Sequence, residues 1–71
     1  MDKWEETIVW WDGDYKSWVV TSFDAEGNTV SADGYNDHSE YYAMKYDAVA
    51  TARAYKDAGR CNKLTIKTKS G

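Results

Sequence analysis

The chain has no proline, one cysteine, one histidine and no long apolar run, and each shortage removes a class of protein. Cys61 alone cannot form an internal disulfide, and a lone cysteine suits a reducing compartment. Cys61 and His38 fall short of the several thiolate or imidazole ligands that a zinc site needs, so neither a metal nor any other cofactor is expected. No window approaches the roughly 18 apolar residues of a membrane span. Asp2, Lys3, Glu5 and Glu6 crowd the start of the sequence with no apolar stretch behind them, which does not fit a signal peptide. The expected location is therefore cytoplasmic. A phosphate-cradling glycine loop, a dinucleotide fingerprint and a nucleophile elbow are all missing. No motif suggests a small-molecule substrate, and the chain is not expected to be an enzyme.

What the sequence does hold is aromatic. Seventy-one residues make one domain, and they include four Trp, six Tyr and one Phe. A chain this short buries only about 60% of the surface that its unfolded form exposes. Large rings offset that shortage, since each removes ~150–250 Å² from water when buried. The net charge of −3 conceals an uneven distribution. Residues 1–44 carry a net −8 and residues 45–71 a net +5. Such halves attract each other as the chain closes, or else give the molecule one acidic and one basic surface.

Local patterns predict the elements. Residues 4–11 and 17–23 are rich in β-branched and aromatic types and read as two strands of a hairpin. Asp12, Gly13 and Asp14 form the turn between them, with glycine the residue suited to a positive φ. Residues 24–28 read as a second hairpin loop, with Gly27 or Asn28 left-handed. A third strand starts over Thr29 to Ala32, a polar mobile loop follows over residues 33–39, and Tyr41 and Tyr42 end a bulged third strand or begin the helix. Residues 45–58 hold five alanines and read as a helix whose buried stripe is Met44, Ala48, Thr51, Ala52, Tyr55 and Ala58. Gly59 stands where a helix-ending glycine belongs. Residues 63–69 alternate, with Leu64 and Ile66 on one side and Thr65, Lys67 and Lys69 on the other, as in a strand with one wet face. The expected fold is α+β: a small antiparallel sheet, made of a three-stranded meander plus a C-terminal strand, with one alanine-rich helix on one face, in the order βββαβ.

One helix covers one face of a sheet. Trp10 and Trp11 point to opposite faces, as do Trp18 and Val19, because side chains alternate along a strand. A tryptophan-bearing patch is therefore expected on the open face, from one of Trp10 and Trp11 with Trp18 or Val19. Exposed aromatic patches of this kind mark interaction sites. The expected partner-binding residues are Trp10, Trp11 and Trp18 with the acids Asp12, Asp14 and Glu26 around them. The expected partner is another protein or a second copy of the chain. A specific form of this reading is a small phage-type inhibitor or regulator that occupies the nucleic-acid site of a host or defence protein. The rival reading is direct nucleic-acid binding, with bases stacked on the aromatic face and phosphates met by Arg53, Lys56, Arg60, Lys63, Lys67 and Lys69. The acidic hairpin and a pI near 4.9 weigh against it.

Other chemistry is thinner still. His38, between Asp37 and Ser39, has the residue type of a general base but sits in a polar loop where solvation suffices to explain it. Cys61 beside Arg60 has a cationic neighbour that lowers thiol pKa values, yet it opens a strand and fits a small buried residue better. The acidic loops at Asp12 to Asp14 and Asp24 to Asn28 lack the full calcium-loop register with its distal Glu. The stretch of Ser17, Trp18, Val19 and Val20, then Gly27, then Tyr42 to Ala48 leading into the helix, resembles the three-strand-plus-helix domains of phage integrases, which bind DNA through the sheet. It is also similar to small bacterial strand-strand-helix-strand domains of unknown function. The resemblance covers about half of the chain. The integrase domains carry basic residues on the sheet where this chain is largely acidic, so no binding residue carries over.

Overall fold

The computed structural model describes residues 3–30 and 39–69. It is α+β, with one helix and a mixed five-stranded sheet. Strands β1 (Trp4–Asp12) and β2 (Ser17–Phe23) form a hairpin in register from Glu6↔Phe23 to Asp12↔Ser17. The turn between them is built as the aspartate suggests: Asp12 Oδ1 accepts the backbone N–H of Asp14 at 3.0 Å and of Tyr15 at 3.3 Å. The left-handed residue is not Gly13, however, but Lys16, at φ +51°. The connection runs over four residues, and a loop of that length turns first and reverses its twist only at re-entry into the second strand. In the next loop Gly27 takes φ +85°, and Asp24 Oδ1 accepts the N–H of Glu26 and of Asn28.

The third strand comes in two pieces on one edge of β2. Strand β3 (Thr29–Val30) pairs with Ser22 and Phe23, and β4 (Glu40–Tyr42) pairs with Trp18, Val19 and Val20. Along β2 only Thr21 separates the two partners, whereas nine residues, 31–39, separate them in the chain. Tyr41 and Tyr42 thus belong to the strand and not to the helix. Ala32 and most of the polar loop expected over residues 33–39 lie outside the described residues.

Helix α1 (Lys45–Asp57) crosses from β4 to β5 (Cys61–Ile66) on the far side of the sheet. The sheet order is β3-β2-β1-β5, with β4 beside β2. The expectation of an all-antiparallel sheet fails here, because β5 runs parallel to β1 from Trp4↔Cys61 to Val9↔Ile66. A helical crossover returns the chain in the direction in which it left, so β5 copies the direction of β4, which is also that of β1. The predicted C-terminal strand is displaced as well, starting at Cys61 and ending at Ile66.

The core lies between helix and sheet. Val9, Trp18, Val20, Ala48 and Ala52 are buried together, and Trp11, Tyr42, Val49, Tyr55 and Leu64 pack around them. Ala48 and Ala52 have no accessible surface. Met44 and Ala58, expected on the same stripe, are exposed, because they lie just outside the helix at its two ends. The C-terminal end closes as a Schellman motif. Gly59 N–H donates to Lys56 O and Arg60 N–H to Tyr55 O, with Gly59 at φ +75°. Trp4 is buried at this same end of the helix, edge-on to Tyr55 with centroids 5.3 Å apart. The basic C-terminal strand docks on the acidic first strand: Lys63 Nζ lies 3.8 Å from Glu6 Oε2, Thr65 Oγ1 donates to the same oxygen at 2.6 Å, and Asn62 donates to Glu5. One ion pair thus joins the acidic and basic halves of the sequence at this strand pair.

Left-handed backbone is costly for any side chain with a Cβ. Lys16→Gly should therefore raise stability by about 0.5–1 kcal/mol in urea unfolding. An unchanged or lower unfolding midpoint would place residue 16 in ordinary backbone.

Candidate interaction surface

Alternation along the strands sorts the side chains. Val9, Trp11, Trp18, Val20, Tyr42 and Leu64 pack toward the helix. Ile8, Trp10, Val19, Thr21, Phe23 and Tyr41, their neighbours in sequence, therefore point the other way. Among the described residues no further layer of structure packs on that second face. The row across its centre is Trp10↔Val19↔Tyr41. Val19 has no accessible surface, whereas Tyr41 is 52% exposed. Trp10 is half-buried, and its indole N–H donates to Thr21 Oγ1 at 3.0 Å. Thr21 Oγ1 in turn shares a 2.8 Å hydrogen bond with Ser39 Oγ. The polar edge of the Trp10 ring is thus satisfied within the chain, and what remains to offer a partner is apolar.

Two grooves are associated with this face. The first, of about 380 Å³, is lined by Ile8, Trp10, Trp11, Phe23 and residues 67–69. The Lys69 ammonium lies 4.2 Å from the Trp11 ring centroid, within cation–π reach. The second, of about 440 Å³, is lined by Tyr15, Ser17 and Tyr41. Tyr15 is 72% exposed and meets Tyr41 edge-on, with centroids 5.8 Å apart.

The expected contact residues separate. Trp10 is on the open face. Trp18 is in the core at 7% exposure, tilted against Trp11 at 5.3 Å, with the Lys45 ammonium 4.9 Å from its ring centroid. Trp11 faces the helix side but is half-buried and reaches the wall of the first groove. The acids do not ring Trp10. Asp12 and Asp14 lie at one end of the β1–β2 ribbon and Glu26 at the other. Asp12 is occupied in its turn, while Asp14 and Glu26 are exposed. Asp24, beside Glu26, is held below the usual carboxylate range chiefly by the Asn28 backbone N–H, with help from Asn28's side chain and the N–H groups of Glu26 and Gly27. The residues that the sequence reading missed are Ile8, Tyr15, Phe23 and Tyr41. An aromatic inside a polar turn was a legible signal for Tyr15. Tyr41 needed the β2–β4 register.

The basic residues are also divided. Arg53 and Lys56 are exposed on α1. Arg60, at the end of the helix, lies over the rings of Trp4 and Tyr55, at 4.7 and 5.6 Å from their centroids. Lys63 is paired with Glu6, and Lys67 and Lys69 flank the first groove. These cations occupy both sides of the sheet and form no single track.

A separate polar cluster lies under the helix. Glu40 accepts the hydroxyls of Tyr42, at 2.9 Å, and of Tyr55, and Thr51 donates to the Tyr42 hydroxyl at 3.0 Å. Burial first, and then the bond to the Glu40 carboxylate, push the Tyr55 hydroxyl well above its ordinary value; Tyr42 is raised mainly by burial. A tyrosine held protonated in this way is no nucleophile at neutral pH, and the cluster's evident effect is to fasten edge strand β4 to α1. Cys61 is a buried free thiol at 1% exposure. Among the described residues no group of three or more His, Cys, Asp or Glu side chains is placed to hold a metal ion. His38 lies outside the described residues. Among the described residues no helix is long and apolar enough to cross a membrane. No protein-family model, no curated protein and no solved structure matches the chain.

The tyrosine shifts carry a pH dependence. An unfolded tyrosine gives up its proton near the ordinary value of 10.0, whereas Tyr55 and Tyr42 keep theirs when folded. Their contribution is whole below that value and is lost as the pH rises above it. Urea unfolding from neutral to alkaline pH should show stability falling beyond pH 10.0, and falling less steeply in Tyr55→Phe. Equal slopes for the two proteins would mean that Tyr55 is not held by Glu40.

Proposed function

We propose that the chain is a non-catalytic protein-binding module whose contact surface is the face of the sheet opposite α1. The partner is another protein or a second copy of the chain, since a single open sheet face is readily covered by its own twin. One observation carries the reading: Ile8, Trp10, Phe23 and Tyr41 share a face that α1 does not cover, and Tyr15 extends it past the strand end. Half-exposed tryptophan and tyrosine supply large contact area with few rotatable bonds, which is the composition of interface hot spots. The specific form, inhibition of a protein at its nucleic-acid site, draws on the exposed acids Asp14 and Glu26 at the two ends of the ribbon. A cytoplasmic setting accords with the unpaired Cys61. Direct nucleic-acid binding is the weaker reading, because its six candidate cations lie on both sides of the sheet.

A photo-crosslinking amino acid at position 10, compared with one at Arg53 on the exposed side of α1, tests the assignment of the face. In cells expressing the chain, position 10 should give discrete protein adducts, to a second copy or to another protein, and position 53 should not. Adducts to nucleic acid at position 10 would favour the rival. Equal labelling from the two positions, or none from position 10, would contradict the proposed surface.

A further inference from the structure

The first groove has a polarity that protein binding alone does not require. Its apolar wall is Ile8, Trp10 and Phe23, and the only donor on the Trp10 ring is spent on Thr21. Lys67 and Lys69 line it too, the latter with its ammonium 4.2 Å from the Trp11 ring centroid. Of the β1 carboxylates on the same face, Glu6 is taken up by Lys63 and Thr65, and Asp12 by the backbone N–H groups of Asp14 and Tyr15 in its turn. Among the described residues no carboxylate pairs with Lys67 or Lys69, so their charge is not cancelled within the groove. The volume, about 380 Å³, lies within the roughly 300–1,000 Å³ typical of small-molecule sites.

We propose that this groove binds a small amphipathic anion. The apolar body, an aryl or alkyl group, rests on Ile8, Trp10 and Phe23, and the carboxylate, sulfonate or phosphate head meets Lys67 and Lys69. Charge complementarity sets the orientation. The chain as a whole carries −3, so its mean field repels anions and attraction must come from these two lysines. This inference goes beyond protein binding on the same face and is decided separately from it.

The probe is anilinonaphthalene sulfonate, an aryl anion whose fluorescence rises in apolar surroundings, with neutral phenylnaphthylamine as its uncharged counterpart. The native chain should bind the sulfonate saturably, one to one, and more tightly than the neutral probe, with dodecanoate competing. Lys67→Glu and Lys69→Glu should each weaken binding about fivefold, as expected for a partly exposed charge contact. Lys56→Glu makes the same change in net charge on the helix and should leave binding unchanged. Trp10→Ala should weaken binding too, and the exposed lysine variants keep the test independent of any folding defect it causes. Absence of saturable binding, equal affinity for the neutral probe, or equal losses in Lys56→Glu and Lys67→Glu would overturn the proposal. None of those results bears on whether position 10 crosslinks to a protein.

Discussion

Ala48 and Ala52 have no accessible surface because they pack with Val9, Trp18 and Val20, and the rest of the molecule depends on that contact. Alanine brings no bulk of its own, so the helix lies close to the sheet and the large side chains of the strands fill the space between. The helix-side residues of β1 and β2 are consumed in this layer. The described residues hold a single helix, and nothing comparable is seen among them on the other side. Alternation then turns every second apolar residue of the same two strands toward that side. The open aromatic face is thus the counterpart of the core, produced by the same strands.

Edge strand β4 would be weak by itself, with three residues paired to β2. The Glu40 carboxylate strengthens it by accepting a hydroxyl from Tyr42 in its own strand and one from Tyr55 in the helix. Hydrogen bonds to a charged group contribute about 1.5–3 kcal/mol where water is excluded, and less at a half-buried site such as this one. Tyr41 lies between the two residues of this clasp, on the opposite side of the strand, so the cluster under the helix also holds an aromatic ring on the open face. Core and surface are coupled through three consecutive residues.

Much of this was legible in the sequence, for identifiable reasons. The β1–β2 hairpin, the alanine helix and its glycine end follow from local propensity and spacing, and they appear within a residue or two of expectation. The opposition of Trp10 and Trp11 also follows from alternation alone. Which of them faces the helix does not, because that choice depends on where the helix lands. Trp18 was expected among the contact residues and instead joins the core, for the same reason. The parallel pairing of β5 with β1 was hidden, since alternation in a strand says nothing about the direction of its neighbour. Tyr41 was obscured by the nine residues that separate β3 from β4 in the chain. The lysines looked like one basic cluster in sequence, and the fold distributes them over two sides.

An open sheet face requires an unequal burial of the four tryptophans: Trp4 and Trp18 buried, Trp10 and Trp11 half-buried. The most direct measurement is a proton–nitrogen spectrum of the four indole groups in the presence of a soluble paramagnetic agent, with each resonance assigned by single Trp→Phe substitution. Trp10 and Trp11 should broaden strongly, and Trp4 and Trp18 should be protected. Equal protection of all four would mean that the second face of the sheet is covered within one chain, and the interaction surface proposed for it would not exist.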